Sequence, residues 1–345
     1  MKTAVLWMTF TSALLAGCSS SLAGGGAQSA ANSNPTTQRT ALSPTVQKST
    51  SGPYLYVAAE SANEVLIYPE SGYYQSPVGM ITSGISSPYG LYVDQSGNLY
   101  VANQYPPTVT VYAPGSTYPS ATYSQDLVRP HYMVVDQYGD LFVSNAPLQD
   151  CHKATVIEYQ PGSQVAYRRL HVPGYEADGI DLDQQGDLYV SYRFCRDRHV
   201  GGIEKFAPGS TQGEDLGVRD HEPQGLIVDN AGDVVVVETE KWAGIALFQA
   251  GSQNREFKLK LPDGEIPVEL AITADQSRLF VSSFYGNVYA TNYPITSSST
   301  WTVEEQVPDT PQGIALSNGQ TFSSATEKAV LNRVPPTRLP FTRTP

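Results

Sequence analysis

A motif that returns at a period of about 42 to 47 residues limits what this chain can fold into more than any other feature. One copy runs from Pro88-Tyr89-Gly90 through Leu91-Tyr92-Val93 to Asp94-Gln95-Ser96-Gly97-Asn98, then Leu99-Tyr100-Val101-Ala102-Asn103. Related copies begin at Pro130-His131-Tyr132, Ala177-Asp178-Gly179, Pro223-Gln224-Gly225, Pro267-Val268-Glu269 and Pro311-Gln312-Gly313. Each copy holds enough residues for four short strands and their turns. That length is the repeat of an all-β propeller, in which every copy is one blade.

The local chemistry agrees with four strands per copy. Pro-x-Gly reads as a turn into a first strand, and Asp-x-x-Gly as a tight turn in which the Asp side chain caps backbone N–H groups. The second strand is rich in β-branched and aromatic residues. Third strands end in Ala113-Pro114-Gly115-Ser116, Gln160-Pro161-Gly162-Ser163 and Ala207-Pro208-Gly209-Ser210, where Pro-Gly predicts a type II turn into a fourth strand. The sixth copy stops after its first strand at Leu316, while Tyr54-Val57, Glu64-Tyr68 and the stretch to Pro88 supply three strands without a first. A mixed blade that joins both ends of the fold follows, giving six blades of four strands. A seventh blade is the alternative, because Gln320-Ser324 imitates another second strand.

The segments outside the repeats have other duties. Residues 1–17 read as an export signal that ends in Leu14-Leu15-Ala16-Gly17 before Cys18. This run resembles the bacterial lipobox, which implies lipid on Cys18 and anchoring in a cell envelope. Ser19 in place of an Asp retention signal favours the outer membrane if the host is Gram-negative. Residues 18–52 form a Ser, Ala, Gly and Thr-rich tether, 53–319 the propeller, and 320–345 a basic, Pro-rich tail. A net charge of −12 argues against nucleic-acid binding. The propeller itself is expected to be a monomer.

The repeat resembles the NHL type, and the copy around Asp275 the related YVTN type. The resemblance implies the propeller fold but not one activity, since the superfamily includes scaffolds, binding modules, lactonases and lyases.

In this grammar the x positions Tyr89, His131, Asp178, Gln224 and Gln312 share a face with the ends of the second strands, Asn103, Asn145, Tyr192 and Glu238. They are expected to ring the mouth of a central channel and bind a ligand there. Asp178-Gly179 resembles the turn that supplies a metal ligand in the gluconolactonase and senescence-marker-protein family. That resemblance implies a divalent cation, calcium or similar, on Asp178 and a lactonase-like hydrolysis. The family's Glu-Gly and Asn-Gly partner turns are missing here, and Asn103, Asn145 and Glu238 at the strand ends are the expected substitutes. Pro130-His131 resembles the Pro-His-Gly turn of virginiamycin B lyase, which implies a lyase using His131 and Glu238. Long loops after the second strands carry Cys151 and Cys195, an even pair once Cys18 is lipidated, and a disulfide between them is expected. Arg193, Arg196 and Arg198 there, with Trp242 in the next blade, suit a protein, carbohydrate or small anionic ligand. The preferred reading is a lipid-anchored binding or scaffolding module. The metal-dependent hydrolase centred on Asp178 comes second and the lyase third.

Overall fold

The computed structural model describes residues 53–70, 76–146, 154–195, 197, 199–239, 243–307 and 309–317. Cys18, Cys151, Arg196, Arg198, Trp242 and the 320–324 stretch fall outside them, so the expected bridge and the alternative seventh blade's extra strand do too. Among the described residues the strands form six sheets of four antiparallel strands, so the ring has six blades rather than seven.

Blade 1 combines β1 (Tyr54–Ala59), β2 (Glu64–Pro69) and β3 (Gly79–Ile81) with the last strand, β24 (Pro311–Leu316). Leu55, Tyr56 and Val57 pair with Leu316, Ala315 and Ile314. Tyr54 N–H donates to Ser317 Oγ at 2.7 Å, and Ser317 N–H to Tyr54 O at 2.8 Å. This is the closure expected from the incomplete sixth copy. Blades 2 to 6 follow in chain order, and their innermost strands are β4 (Pro88–Val93), β8 (Pro130–Val135), β12 (Glu176–Leu182), β16 (Pro223–Val228) and β20 (Pro267–Ile272).

Six apolar clusters hold the ring, each packed between neighbouring blades. Val109, Val111 and Tyr123 of blade 2, for example, meet Met133, Leu141 and Ile157 of blade 3. Fully burying one such side chain contributes about 1.5–3 kcal/mol, so the blade interfaces carry most of the stability.

The two repeated turns behave as their chemistry requires. Asp136 Oδ1 accepts from Tyr138 N–H at 2.8 Å and Asp140 N–H at 2.9 Å, while Gly139 adopts φ 85°. Ser116 N–H donates to Ala113 O at 2.9 Å, with Gly115 at φ 74°. Asp183 and Asp229 cap their turns in the same manner.

The Pro-x-Gly element corrects the sequence reading. It is not a turn but the first three residues of the innermost strand, with a break in register against the second strand between Pro88 and Leu91 and at the matching places in the other blades. Its glycine is needed for closeness, not for positive φ. A Cβ on Gly90 would sit 2.2 Å from His131 O, and one on Gly313 would sit 2.3 Å from Tyr89 O. Inner strands therefore touch backbone to backbone around the axis. Two blades break the rule with Tyr132 and Glu269, and both side chains enter the channel lining.

Candidate functional site at the channel mouth

The x positions lie near the start of the inner strands, and all of them are buried. Two bonds cross the channel between opposite blades. Gln224 of blade 5 donates its amide to the Tyr89 hydroxyl of blade 2. Tyr132 of blade 3 donates its hydroxyl to Val268 O of blade 6 at 3.5 Å. The Tyr89 ring stacks on His131 at 4.7 Å and meets Tyr132 edge-on at 5.4 Å. The axis is thus plugged just below the mouth.

On one side of the plug, blades 3 and 4 bring charges together. His131 Nδ1 lies 2.7 Å from Asp178 Oδ1, and both residues are sealed, at 1% and 0% exposure. With Nδ1 engaged by the carboxylate, the second ring nitrogen, Nε2, is the atom left over. That atom has no hydrogen-bond partner among the described residues. It lies 3.8 Å from Glu176 Oε1. Arg193 donates Nε–H to Asp178 Oδ2 at 3.1 Å and sets Nη2 3.4 Å from Glu176 Oε2. Arg129 closes the network at 3.2 Å from Glu176 Oε1 and also reaches Gln104 Oε1 at 3.5 Å. The Gln104 amide nitrogen is buried and likewise without a partner.

Charge balance sets the electrostatics. Two guanidiniums offset two carboxylates around the imidazole. Burial alone would raise the Asp178 carboxyl, but the Arg193 charge and the His131 hydrogen bond outweigh it and hold the group below the usual range. The same two carboxylates push Arg193 upward against its own desolvation. Burial, with Glu176 beside it, lifts the Tyr175 hydroxyl to about 12, so it stays a donor.

The structure gathers only part of the expected site. His131, Asp178 and Arg193 meet, and Tyr89 and Gln224 cover them. Gln312 faces elsewhere, donating to Glu60 Oε2 at 2.9 Å. Asn103 clamps its own loop, accepting from Ser86 N–H at 2.9 Å and donating to Thr108 and Thr110 hydroxyls at 3.2 and 3.1 Å. Asn145 does the same with Val128 N–H at 2.8 Å and Asp126 O at 3.2 Å. Glu238 is held by Lys258 on the outermost strand of blade 5 and by Arg255 just before that strand, and Tyr192 packs in the core between blades 3 and 4. The reason is the pleat. Asn103 and Asn145 pair with Pro88 and Pro130, not with the x residues, so their side chains leave the strand on the other face.

Glu176 and Arg129 were missed, although a signal exists. Arg129 and Glu176 lie 47 residues apart, as do His131 and Asp178, which is one blade of offset. Complementary charges at equal repeat positions predict contact across a blade boundary.

As a cation site the mouth fits poorly. His131, Glu176 and Asp178 bring one ligand atom each within 4.8 Å of one another. Yet both Asp178 oxygens are committed to His131 and Arg193, and two guanidiniums face the ion's place. The oxygen-rich set expected for calcium, with Asn103, Asn145 and Glu238, does not converge.

No protein-family model matches the chain, and no curated protein matches it in sequence. Solved structures match in fold. A propeller in the nidogen/laminin complex superposes with a TM-score of 0.61 at 16% identity, covering 78% of this chain and 100% of that one. A chain of Kuenenia stuttgartiensis hydrazine synthase gives 0.56 at 14% identity, covering 77% and 86%. A Xanthomonas campestris gluconolactonase, at 0.48 and 16% identity, covers 67% and 84%. At such identities the first two likenesses show the propeller fold alone.

Proposed function

We propose that this chain is a lipid-anchored envelope propeller whose channel mouth binds a small polar ligand or a partner's polar group. The observation that carries this reading is the pair of buried, unpartnered polar atoms, His131 Nε2 and the Gln104 amide nitrogen, flanking Arg129. Leaving such groups unpaired costs about 1–3 kcal/mol each, so a ligand that pairs them gains affinity. Arg129 keeps 30% of its side chain exposed, and Arg193 keeps 18%, which leaves donors facing outward for an anionic group. The lipobox-like run before Cys18 supports the anchor, and the acidic charge supports a ligand other than nucleic acid. A Cys151–Cys195 bridge belongs to the same proposal, and non-reducing peptide mapping tests it.

The test of the mouth is a thermal-shift screen of small carboxylates and neutral sugars on the full chain, repeated with Arg129→Ala and Gln104→Leu. A hit that both variants lose supports the reading. A hit that neither variant moves overturns it as a site. Metal analysis of the same samples is the companion measurement, since about one tightly held divalent ion per chain, lost in Asp178→Ala, replaces this reading with the metal hydrolase.

One observation favours a second reading. A histidine held by a buried carboxylate, with its other nitrogen unpartnered, is arranged to take a proton. A lyase-type reaction with His131 as base and Asp178 as its orienting partner follows, without Glu238. Turnover lost in His131→Gln while ligand binding persists is the result that selects it.

A further inference from the structure

Below the tyrosine plug, a cavity of about 80 Å³ runs along the axis, away from the mouth. It reaches Val93, Ile272 and Leu316, the last residues of their inner strands, at the face that carries the Asp-x-x-Gly turns. Its wall is mostly aliphatic, with Leu and Ile most frequent and Tyr92, Tyr132, Asp181 and Glu269 as the polar exceptions. The two tyrosine hydroxyls donate to Val135 O at 3.3 Å and Val268 O at 3.5 Å. Asp181 accepts from Leu182 N–H at 2.9 Å and Val228 N–H at 2.8 Å. Glu269 differs. Its Oε1 accepts from Leu270 N–H at 3.0 Å, but Oε2 has no hydrogen-bond partner among the described residues, and the residue is only 6% exposed.

Glu269 is costly where it stands. Burial first, then Asp181 and Asp178, push its carboxyl well above the usual range. Four other blades place Gly at the same position, and the fifth places Tyr132. A carboxyl kept in an apolar tunnel, with an oxygen left over, calls for a cationic partner.

We infer that this cavity binds a primary alkylammonium group, with Glu269 and Asp181 facing the charge and the Leu and Ile wall holding its methylene stem. A hard metal ion wants six or more oxygens, and this wall is mainly carbon. An ammonium has three donors and travels on an apolar stem that buries well. The volume suits an unbranched chain better than a ring, since cavities of about 150 Å³ are the size that holds benzene. The chain's net charge of −12 draws cations toward it. Short free amines and lysine side chains carry the same group.

The experiment is isothermal titration of the full-length Cys18→Ser chain with n-alkylammonium chlorides from ethyl to hexyl. Affinity is expected to rise about fourfold per methylene until the stem fills the tunnel, then fall. Glu269→Gln is expected to weaken butylammonium binding by about tenfold or more. Nα-acetyl-lysine amide, run in parallel, separates the two sources, because it binds only if a peptide backbone clears the strand ends. A flat chain-length profile overturns the inference without any variant, as does butylammonium binding unchanged in a folded Glu269→Gln chain. Calcium binding that Glu269→Gln abolishes, with no amine binding, overturns it in favour of a metal site.

Discussion

The two ends of the channel hold buried carboxyls in opposite ways. At the mouth, Asp178 is met by Arg193 and His131, and Glu176 by Arg129 and Arg193, so charge is concentrated and cancelled. Beyond the plug, Glu269 sits in hydrocarbon with one oxygen unpaired. The difference teaches that burial alone does not decide what a carboxyl does. Partners turn one into a stabilising ionised group, and their absence makes the other costly to ionise and leaves one of its oxygens open to a cationic ligand.

The largest test of this contrast is Asp178→Ala. Removing one member of a buried network strands Arg193 and His131, at an expected loss of about 3–5 kcal/mol in urea denaturation at neutral pH. A loss under about 1 kcal/mol would mean that the mouth is wetter and looser than its distances imply.

The pH dependence sharpens the comparison through opposite signs. The folded-state pKa of Asp178 is lowered, so its contribution is present above the unfolded value and disappears as pH falls through the folded one. The folded-state pKa of Glu269 is raised, so its contribution is present below the unfolded value and is lost as pH rises through the folded one. Asp178→Asn should flatten the acid limb of the stability curve, and Glu269→Gln the limb above the ordinary glutamate range. Denaturation midpoints across pH read both.

Smaller effects follow at the far end. Glu269→Leu exchanges an unsatisfied carboxyl for an apolar group and is expected to be neutral or to stabilise by about 1 kcal/mol in the same assay. The smallest is Tyr132→Phe, which removes the cross-axis hydrogen bond and should cost less than about 1 kcal/mol. A much larger cost would make the plug a principal brace of the ring and not a partition between two sites.

The repeats announced six blades and their closure because turns and strands are local chemistry, written once per copy. Asp94, Asp136, Asp183 and Asp229 were legible as turn caps for the same reason. The site was legible only in part. His131 and Asp178 stood out as exceptions within a repeat, but Asn103, Asn145 and Glu238 were placed at the mouth by their position along the strand, and position does not say which face a side chain leaves. Arg129 with Glu176 required comparison of neighbouring copies at equal register. Glu269 was visible as a break in Pro-x-Gly, yet its meaning depends on how closely inner strands approach the axis, and that distance is a property of the assembled ring.

The closing strand has a consequence in time as well as in space. Tyr54 and Ser317 are hydrogen-bonded although 263 residues separate them. During synthesis β1 must wait for Pro311–Leu316 with its inner edge uncovered, for roughly ten to fifty seconds at ordinary elongation rates. Five blades can stack as they emerge, but the ring seals only with the last strand. Until then the nascent chain carries an open sheet edge that can pair with the wrong neighbour.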